Sequence, residues 1–314
     1  MSKMALLFPG QGAQYVGMGK ELAAQYPEAR AVFAEADEAL GMPLSKLCFE
    51  GPEEELLLTT NTQPAVVATS LACLAIFQKR VREPVAAVAG LSLGEYSALV
   101  AAGSLSCGTA VSLVRKRGEY MQEVVPPGEG AMAAIIGLPR DEVIRVCNEA
   151  EEYGVVAPAN FNCPGQVVIS GEREAVEKAK EIAKNAGAKR VINLAVSAPF
   201  HSPLLKPAGE KMARELAKAP LGDTRLPLVA NVSADYLTRK EEIKWALVKQ
   251  VSEPVLWEET LYKLARDGVE IFIEIGPGRV LSGFVRKTIP FATTLNIDDP
   301  TSLAKTLDHL EEVV

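Results

Sequence analysis

The sequence predicts an α/β fold in which helices cover a mostly parallel sheet, and the alternation of its segments is the first reason. Strand-like and helix-like segments alternate from residue 4 to about residue 124. The alternation returns with strand-like runs at 226–233 and 269–275, each followed by helical patterns. The second reason is size and composition, because 314 residues with 48% hydrophobic and 23% charged side chains suit a globular protein of about two domains.

A compact unit interrupts this alternation after Pro126-Pro127-Gly128. Its segments follow the order β-α-β-β-α-β, which is that of the ferredoxin-like motif. They are a strand at 131–137, a helix at 139–152, strands at 155–160 and 166–171, a helix at 172–187 and a strand at 189–196. We therefore predict a large catalytic domain formed by residues 1–127 and 198–314. The inserted small domain, residues 128–197, is expected to cover a cleft in the large one.

The most informative motif lies where an apolar run meets a helical segment. Gly90-Leu91-Ser92-Leu93-Gly94 matches the strand–turn–helix context of a nucleophile elbow, in which a serine hydroxyl is exposed above a sheet. Glycines on both sides leave room for the strand and the helix to approach closely. We predict that Ser92 is a catalytic nucleophile. The alternative is a serine that only caps the following helix.

Only two histidines, His201 and His309, could serve as the general base for this serine. His309 lies in a helical pattern and is expected to point away from the apolar stripe of that helix. His201 lies between Pro199 and Pro203, in a loop that the two prolines restrict. Because His201 directly follows the inserted unit, we predict that it meets Ser92 in the cleft.

Composition argues against several function classes. The formal net charge of −7 disfavours nucleic acid and anionic membranes as partners, because no overall basic field neutralises phosphates. The five cysteines include no CxxC pair and fall mostly in apolar segments, so we expect buried free thiols rather than disulfides or metal ligands. The sequence shows no signal-peptide pattern and no apolar run long enough to span a membrane, which predicts a cytoplasmic protein.

Along essentially its whole length the sequence resembles the malonyl-CoA:acyl-carrier-protein transacylases of fatty-acid synthesis. The resemblance is carried, in the family's order, by LFPGQGAQYVGMG (7–19), NTQPAV (61–66), GLSLGEYSALVAAG (90–103), RKRGEYMQ (115–122), NFNCPGQVVISG (160–171), VSAPFHSPLL (196–205), VANVSAD (229–235) and EIGPGRVLSGF (274–284). It implies an α/β-hydrolase-like large domain and a ferredoxin-like small domain. It also implies transfer of malonyl from coenzyme A, through an ester on Ser92, to the phosphopantetheine thiol of acyl-carrier protein.

The resemblance further implies roles in catalysis. His201 would be the general base, oriented by a backbone carbonyl at the position of Gln250 rather than by an acid. The backbone N–H groups of Gln11 and Leu93 would form the oxyanion hole, and Leu93 also fits the rule that the residue after the nucleophile supplies one donor. The family often has histidine before the nucleophilic serine, where this chain has Leu91. Ser–His chemistry does not need that side chain, so the prediction is kept.

Substrate-binding roles are implied for four residues. Arg117 would bind the malonyl carboxylate, to which a guanidinium offers two parallel hydrogen bonds. The alternative is that the basic run 115–117 is a solvated helix face. Phe200 matches a position whose bulk is associated with the use of malonyl rather than methylmalonyl. Gln63 and Asn160 match positions that line the cleft.

The implied partners are malonyl-CoA and acyl-carrier protein, without a metal or a cofactor, and we expect a monomer. Acyl-carrier proteins of this pathway are strongly acidic, whereas this chain is itself net negative. Docking should therefore use local basic residues beside the cleft. The candidates are Lys189 with Arg190 and Arg286 with Lys287.

Two alternatives belong to other classes. A serine thioesterase or esterase of the α/β-hydrolase type would use Ser92, His309 and an acid, either Asp267 or Glu274. It would give no role to Arg117, and it would release acid steadily without an acceptor thiol. A non-catalytic subunit that only binds carrier protein would need no serine–histidine pair, and its serine would not be acylated.

Overall fold

The computed structural model describes residues 2–126, 128–196 and 198–313. Pro127 and Ser197, at the predicted domain boundaries, and the terminal residues Met1 and Val314 lie outside the described residues. The fold is mixed α/β with two sheets, and the predicted α/β class is thereby confirmed.

The first sheet is mostly parallel, as predicted. The described strands of the fold are β1 (Lys3–Phe8), β2 (Val85–Gly90), β3 (Gly130–Ile136), β4 (Val156–Cys163), β5 (Gln166–Glu172), β6 (Arg190–Asn193), β7 (Leu228–Val229), β8 (Tyr236–Leu237), β9 (Val255–Leu256), β10 (Val269–Ile275) and β11 (Thr293–Ile297). The first sheet has the order β11-β10-β1-β2-β7-β8, and only β7 and β8 pair antiparallel. Phe8 pairs with Gly90, so the loops that follow β1 and β2 leave the sheet side by side.

The second sheet has the order β6-β3-β5-β4-β9. Its first four strands pair antiparallel, whereas β9 runs parallel to β4, with Asn160 opposite Val255. The predicted strands of the inserted unit are present, but β9 comes from a later part of the chain. The second sheet therefore extends beyond the inserted unit and is joined to the chain segment that carries Gln250.

Helices cover both sheets. The described α-helices are α1 (Lys20–Gln25), α2 (Pro27–Leu40), α3 (Leu44–Glu50), α4 (Glu53–Leu56), α5 (Thr59–Arg80), α6 (Gly94–Ala101), α7 (Cys107–Val124), α8 (Arg140–Ala150), α9 (Arg173–Asn185), α10 (Lys206–Lys218), α11 (Lys240–Gln250), α12 (Trp257–Arg266), α13 (Val280–Thr288) and α14 (Pro300–Val313). Apolar side chains of α2, α5, α6 and α7 form the main core with β1 and β2. A separate core lies between the second sheet and helices α8 and α9, around Ile135, Val143, Ile169 and Val176.

Helix α5 contains a proline. It starts at Thr59, so Pro64 lies inside the helix rather than in its first turn. Proline has no N–H to donate to the carbonyl of the residue four positions before it, which is Thr60. Arg115 Nη1 donates to that carbonyl oxygen at 3.0 Å. A contact from α7 therefore satisfies the acceptor that Pro64 leaves open.

Two strands are shorter than predicted. Strand β6 ends at Asn193, and residues 194–196 leave the sheet to line the cavity described below. In the apolar run 226–233, only Leu228 and Val229 pair in the sheet. A turn follows, in which the Ala234 N–H donates to the Ala230 carbonyl at 2.9 Å. This turn takes Asn231 out of the strand.

Other features of the described residues bear on the function class. All five cysteines are buried and free, as predicted. Within the described ranges, no group of three or more His, Cys, Asp or Glu side chains is placed to hold a metal ion. Among the helices that the structure describes, none has the length and apolar character that crossing a membrane requires.

Candidate active site

The predicted elbow lies between β2 and α6. The chain leaves β2 at Gly90, turns at Ser92 and enters α6 at Gly94. Ser92 has φ of 53°, in the left-handed region that residues with a side chain rarely adopt. Such backbone strain persists only where the surroundings hold it. The Ser92 N–H donates to Asn231 Oδ1 at 2.6 Å, and this hydrogen bond supplies part of that restraint.

The two elbow glycines are required by space. A Cβ at Gly90 would lie 2.0 Å from the backbone of Gly94, and a Cβ at Gly94 would lie 2.2 Å from the carbonyl oxygen of Phe8. Neither glycine needs a left-handed backbone. Strand β1, the elbow and α6 therefore approach closely only because these positions have no side chain. The approach places the N-terminus of α6 next to Ser92.

Of the two histidines, His201 is the one that contacts Ser92. His201 Nε2 lies 2.7 Å from Ser92 Oγ, and His201 Nδ1 lies 2.7 Å from the backbone oxygen of Gln250. A carbonyl oxygen only accepts hydrogen bonds, so Nδ1 carries the proton and Nε2 accepts from the Ser92 hydroxyl. This is the arrangement of a nucleophile with a general base that a third group orients.

The surroundings of His201 keep its imidazole neutral. Burial and the nearby positive charge of Arg117 lower the pKa of His201 to about 3, although the hydrogen bond to Gln250 acts in the opposite direction. A lowered pKa means that the neutral form persists as the pH falls, until the lowered value is reached. The proton-accepting form is therefore the one present at neutral pH.

We expect acylation of the free enzyme to depend little on pH between about pH 5 and pH 7. A histidine with the ordinary pKa of about 6.5 would lose most of its neutral form over this range and would slow the reaction about 25-fold. Because the pKa of His201 is lowered, its neutral fraction stays nearly constant there. Single-turnover acylation after a rapid pH jump measures the effect. A fall of about 25-fold between these two pH values would contradict the expectation.

Arg117 is a second group that touches Ser92. Its residue is 2% exposed, so a solvated helix face is excluded for this side chain. Nη2 donates to Ser92 Oγ at 3.1 Å and to Gln250 Oε1 at 3.0 Å, and Nη1 donates to Gln63 Oε1 at 3.0 Å. Nε is buried and has no partner among the described residues. Burial lowers the pKa of Arg117, but a guanidinium stays charged at neutral pH. A buried cation with an unused donor suits an anion that enters beside Ser92.

The sequence analysis missed Asn231 and Glu95, which complete the polar surroundings of the elbow. Asn231 Nδ2 donates to the Gly90 carbonyl oxygen at 2.7 Å. Glu95 Oε2 accepts from Gln250 Nε2 at 2.7 Å and from the Asn231 N–H at 3.2 Å. Burial raises the pKa of Glu95 to about 7. Both lie in motifs that carry the family resemblance, 90–103 and 229–235, but neither was assigned a role. An acid in the first turn of a helix normally reflects only the helix dipole, and Asn231 follows a strand-like run without a local pattern that marks it.

A cavity of about 340 Å³ opens onto the serine and the histidine, between strands of the second sheet and the loops that follow β1 and β2. The predicted site residues that line it are Gln11, Ser92, Asn160, Phe200 and His201, and Leu91, where the family often has histidine, lines it as well. Gln63, Leu93, Arg117 and Gln250 are not among the lining residues and are buried. Gln63 therefore contacts Arg117 rather than the cavity. Asn162, which the sequence analysis did not single out, lines the cavity, and its buried Oδ1 has no partner among the described residues.

The acids of the hydrolase alternative have other partners. Glu274 accepts the N–H groups of Leu281 and Ser282 at 3.0 and 2.8 Å, which caps the start of α13. Asp267 accepts from Lys263 Nζ at 3.0 Å. Asp267 is also hydrogen-bonded to the Tyr236 side chain on β8, and no contact joins either acid to a histidine among the described residues. The geometry therefore gives no support to a triad that includes His309.

An elbow serine, a neutral histidine held by a backbone carbonyl and a buried arginine form the arrangement that is typical of serine enzymes with a covalent acyl intermediate. Comparison with known proteins narrows this class. The family model for the acyl transferase domain matches residues 5–303. The chain belongs to this acyl transferase family, and it is an acyltransferase of the malonyltransferase type.

Relatives with assigned functions and solved structures agree with this membership. The chain is 52% identical over 313 residues to the malonyl CoA-acyl carrier protein transacylase of Bacillus subtilis (strain 168), covering 99% of this chain and 98% of the relative. It is 46% identical over 308 residues to the enzyme of the same name from Escherichia coli (strain K12), covering 98% and 100%. It also matches the solved complex of a malonyl-transacylase with its type II PKS acyl-carrier protein. The match to one chain of that structure has a TM-score of 0.96 and 45% identity, and it covers 98% of this chain and 100% of the matched chain.

Proposed function

We propose that this chain is a malonyl-CoA:acyl-carrier-protein transacylase of fatty-acid biosynthesis, which transfers malonyl through an ester on Ser92. The observation that carries the proposal is the buried Arg117 guanidinium, 3.1 Å from Ser92 Oγ. A carboxylate-bearing acyl group needs a cation beside the nucleophile, whereas an uncharged acyl group does not. The names of the relatives support the same substrate and the same acceptor.

In the first half-reaction, His201 Nε2 takes the proton from Ser92 Oγ while Oγ attacks the thioester carbonyl of malonyl-CoA. The tetrahedral oxyanion is stabilised by the backbone N–H groups of Gln11 and Leu93. Its collapse breaks the carbon–sulfur bond, and His201 returns the proton to the departing thiolate of coenzyme A. Two features support the oxyanion hole: Gln11 lines the cavity, and Leu93 is the N-cap residue directly before α6.

In the second half-reaction, the phosphopantetheine thiol of acyl-carrier protein replaces coenzyme A in the same cavity. His201 takes the thiol proton, the sulfur attacks the malonyl ester, and the Ser92 oxygen leaves and recovers the proton from His201. The chemistry is therefore symmetrical about the serine ester. All the groups that move protons are supplied by this chain, so we propose that the reaction uses no metal and no cofactor besides its thioester substrates.

Substrate selection is proposed to follow from the residues around the serine. Arg117 binds the malonyl carboxylate and Gln63 holds the guanidinium from behind. Phe200, at 8% exposure, lines the cavity and limits the space for an α-methyl group. Asn160 offers a polar side chain to the substrate from the second sheet.

We also propose the finer division of the fold. The second-sheet order β6-β3-β5-β4 and its separate core support a ferredoxin-like small domain at residues 128–197. The mostly parallel first sheet and the elbow after β2 support an α/β-hydrolase-like large domain at residues 1–127 and 198–314. The monomeric state and the cytoplasmic location stay predictions.

The proposal is tested by following the fate of the malonyl group. The wild-type protein is mixed with malonyl-CoA, with and without the phosphopantetheinylated carrier protein, and malonyl-carrier protein and free malonate are measured. We expect a stable serine ester without the acceptor and malonyl-carrier protein with it. Steady release of malonate without an acceptor would indicate the thioesterase alternative. Absence of any ester would indicate the non-catalytic subunit.

The carrier-protein surface provides a separate prediction. Lys189 and Arg190 are exposed at the start of β6, and the cavity-lining residues 194–196 follow the end of the same strand. Arg286 and Lys287 are exposed at the end of α13, and Lys287 Nζ lies 3.4 Å from Oε1 of the cavity-lining Gln166. Reversal of either pair to glutamate should slow transfer to the carrier protein at low salt and should spare acylation by malonyl-CoA. The defect should shrink as salt screens the charges.

The matched control is reversal of Arg239 and Lys240, which are also exposed and adjacent but lie at the start of α11, a helix that contributes no residue to the cavity wall. This variant changes the net charge by the same amount and should leave both half-reactions unchanged. If both cleft-side reversals behave like the control at low salt, the carrier protein docks elsewhere.

A further inference from the structure

Glu95 is a buried carboxyl group that the acyl-transfer steps do not use. It follows Ser92 by three residues, in the first turn of α6, and its residue is 1% exposed. Its Oε2 accepts hydrogen bonds from Gln250 Nε2 and from the Asn231 N–H, whereas Oε1 has no partner among the described residues. Burial of a carboxyl group costs free energy. The contacts of this one lead directly to the catalytic groups.

Three acceptors hold the NH2 end of the Gln250 amide, namely Glu95 Oε2 at 2.7 Å, the Ser92 carbonyl oxygen at 2.9 Å and Asn231 Oδ1 at 3.4 Å, and the contact with Glu95 is the shortest. Because Glu95 Oε2 accepts, the NH2 end of the amide points towards it. The other end, Oε1, is then left to accept from Arg117 Nη2 at 3.0 Å. If the amide turned over, its NH2 group would face the guanidinium, donor against donor. Arg117 would then lose one of its two amide anchors.

Glu95 also reaches the serine and the histidine through its two partners. The backbone oxygen of Gln250 accepts from His201 Nδ1, so the residue that Glu95 holds is the one that orients the imidazole. Asn231, whose N–H donates to Glu95, accepts the Ser92 N–H at the strained turn. Glu95 Oε2 is therefore linked through Gln250 to Arg117 and His201, and through Asn231 to Ser92.

We propose that Glu95 is a positioning residue, whose Oε2 fixes the Gln250 amide so that Arg117 is held in place for the acyl carboxylate. The inference rests on the proposed function, because only an acyl group that carries a carboxylate depends on the placement of Arg117. The acceptor oxygen matters rather than the charge. Burial raises the pKa of Glu95 to about 7, and the neutral form can carry its proton on the unpartnered Oε1 and keep Oε2 as an acceptor.

The test compares substitutions that keep or remove the acceptor. Glu95→Gln keeps an acceptor oxygen without the charge, Glu95→Met removes the acceptor at similar length, and Glu95→Asp keeps the charge but withdraws the oxygen by one methylene. The measurement is single-turnover acylation of Ser92 by malonyl-CoA and, separately, by acetyl-CoA. Glu95→Met and Glu95→Asp should lower the malonyl-to-acetyl rate ratio at least about tenfold. Glu95→Gln should stay within about threefold of the wild-type ratio.

A control separates positioning from general loss of stability. Thr306, on α14, is also buried, and its Oγ1 donates to the Asn296 carbonyl oxygen at 2.9 Å. Thr306→Val removes this hydrogen bond, and it should lower the melting temperature without changing the malonyl-to-acetyl ratio. If Glu95→Met does not fold, Glu95→Asp still tests the inference. A wild-type malonyl-to-acetyl ratio in folded Glu95→Met or Glu95→Asp would overturn the inference. A ratio in Glu95→Gln as low as in those two variants would also overturn it. Failure of the wild-type protein to form the ester would instead overturn the proposed function.

Discussion

Ser92→Ala is expected to take up no acyl group from malonyl-CoA, whereas the wild-type protein gains one malonyl group. The reason is that the serine hydroxyl is the nucleophile that His201 Nε2 faces at 2.7 Å. His201→Ala should still be acylated, but 10²–10⁴-fold more slowly, which is typical for the loss of a general base. Intact-mass measurement at fixed times after mixing with malonyl-CoA distinguishes the three proteins.

The second histidine supplies the control for this prediction. His309 is half-buried on α14, outside the hydrogen-bond network of Ser92, and His309→Ala should be acylated at nearly the wild-type rate. Equal losses from His309→Ala and His201→Ala would contradict the assignment of the base. They would also return the hydrolase alternative to consideration.

Arg117→Ala is expected to remove most malonyl transfer, by about 10²-fold or more, while acetyl transfer holds or rises. Without the guanidinium, the malonyl carboxylate is left unpaired in a closed site, and a buried unpaired charge costs several kcal/mol. An acetyl group has no charge to pair and makes no use of Arg117. The measurement is the rate of acylation by malonyl-CoA divided by the rate by acetyl-CoA, and this malonyl-to-acetyl ratio should fall in Arg117→Ala.

Arg115→Ala is the matched control for this variant. Arg115 lies on the same helix, two residues before Arg117, but its Nη1 donates to the Thr60 carbonyl oxygen rather than to the active site. We expect this variant to be less stable and to keep the wild-type malonyl-to-acetyl ratio. If Arg117→Ala lowers both transfers by the same factor, the arginine does not bind the substrate carboxylate.

Much of the site could be predicted because its signals are local. The elbow is a contiguous motif whose glycines are needed for strand–helix contact within a few residues of Ser92. The scarcity of histidine reduced the choice of base to two residues, and the prolines beside His201 favoured the one that the structure places in contact with Ser92. The α/β class followed from segment alternation, since buried parallel strands and amphipathic helices have different periods.

Other parts of the site depend on residues far apart in the chain. The basic run 115–117 looks uniform in sequence. Only packing buries Arg117 beside Ser92 and directs Arg115 to the Thr60 carbonyl oxygen of α5. Gln63, expected on the wall of the cleft, instead lies behind the guanidinium. No sequence pattern predicts the burial of Arg117 or the position of Gln63, because each depends on which face of α7 the neighbouring helices cover.

The sequence by itself determined the α/β class, the elbow and its serine, and a choice between two bases, because periodicity and turn chemistry act within a few residues. The tertiary structure decided how these groups are held. Asn231 reaches the Ser92 N–H across 139 positions of the chain, and Gln250 reaches Glu95 across 155. A polar residue becomes a partner of the active site only when folding buries it against a specific donor or acceptor, since in water every such group is already satisfied.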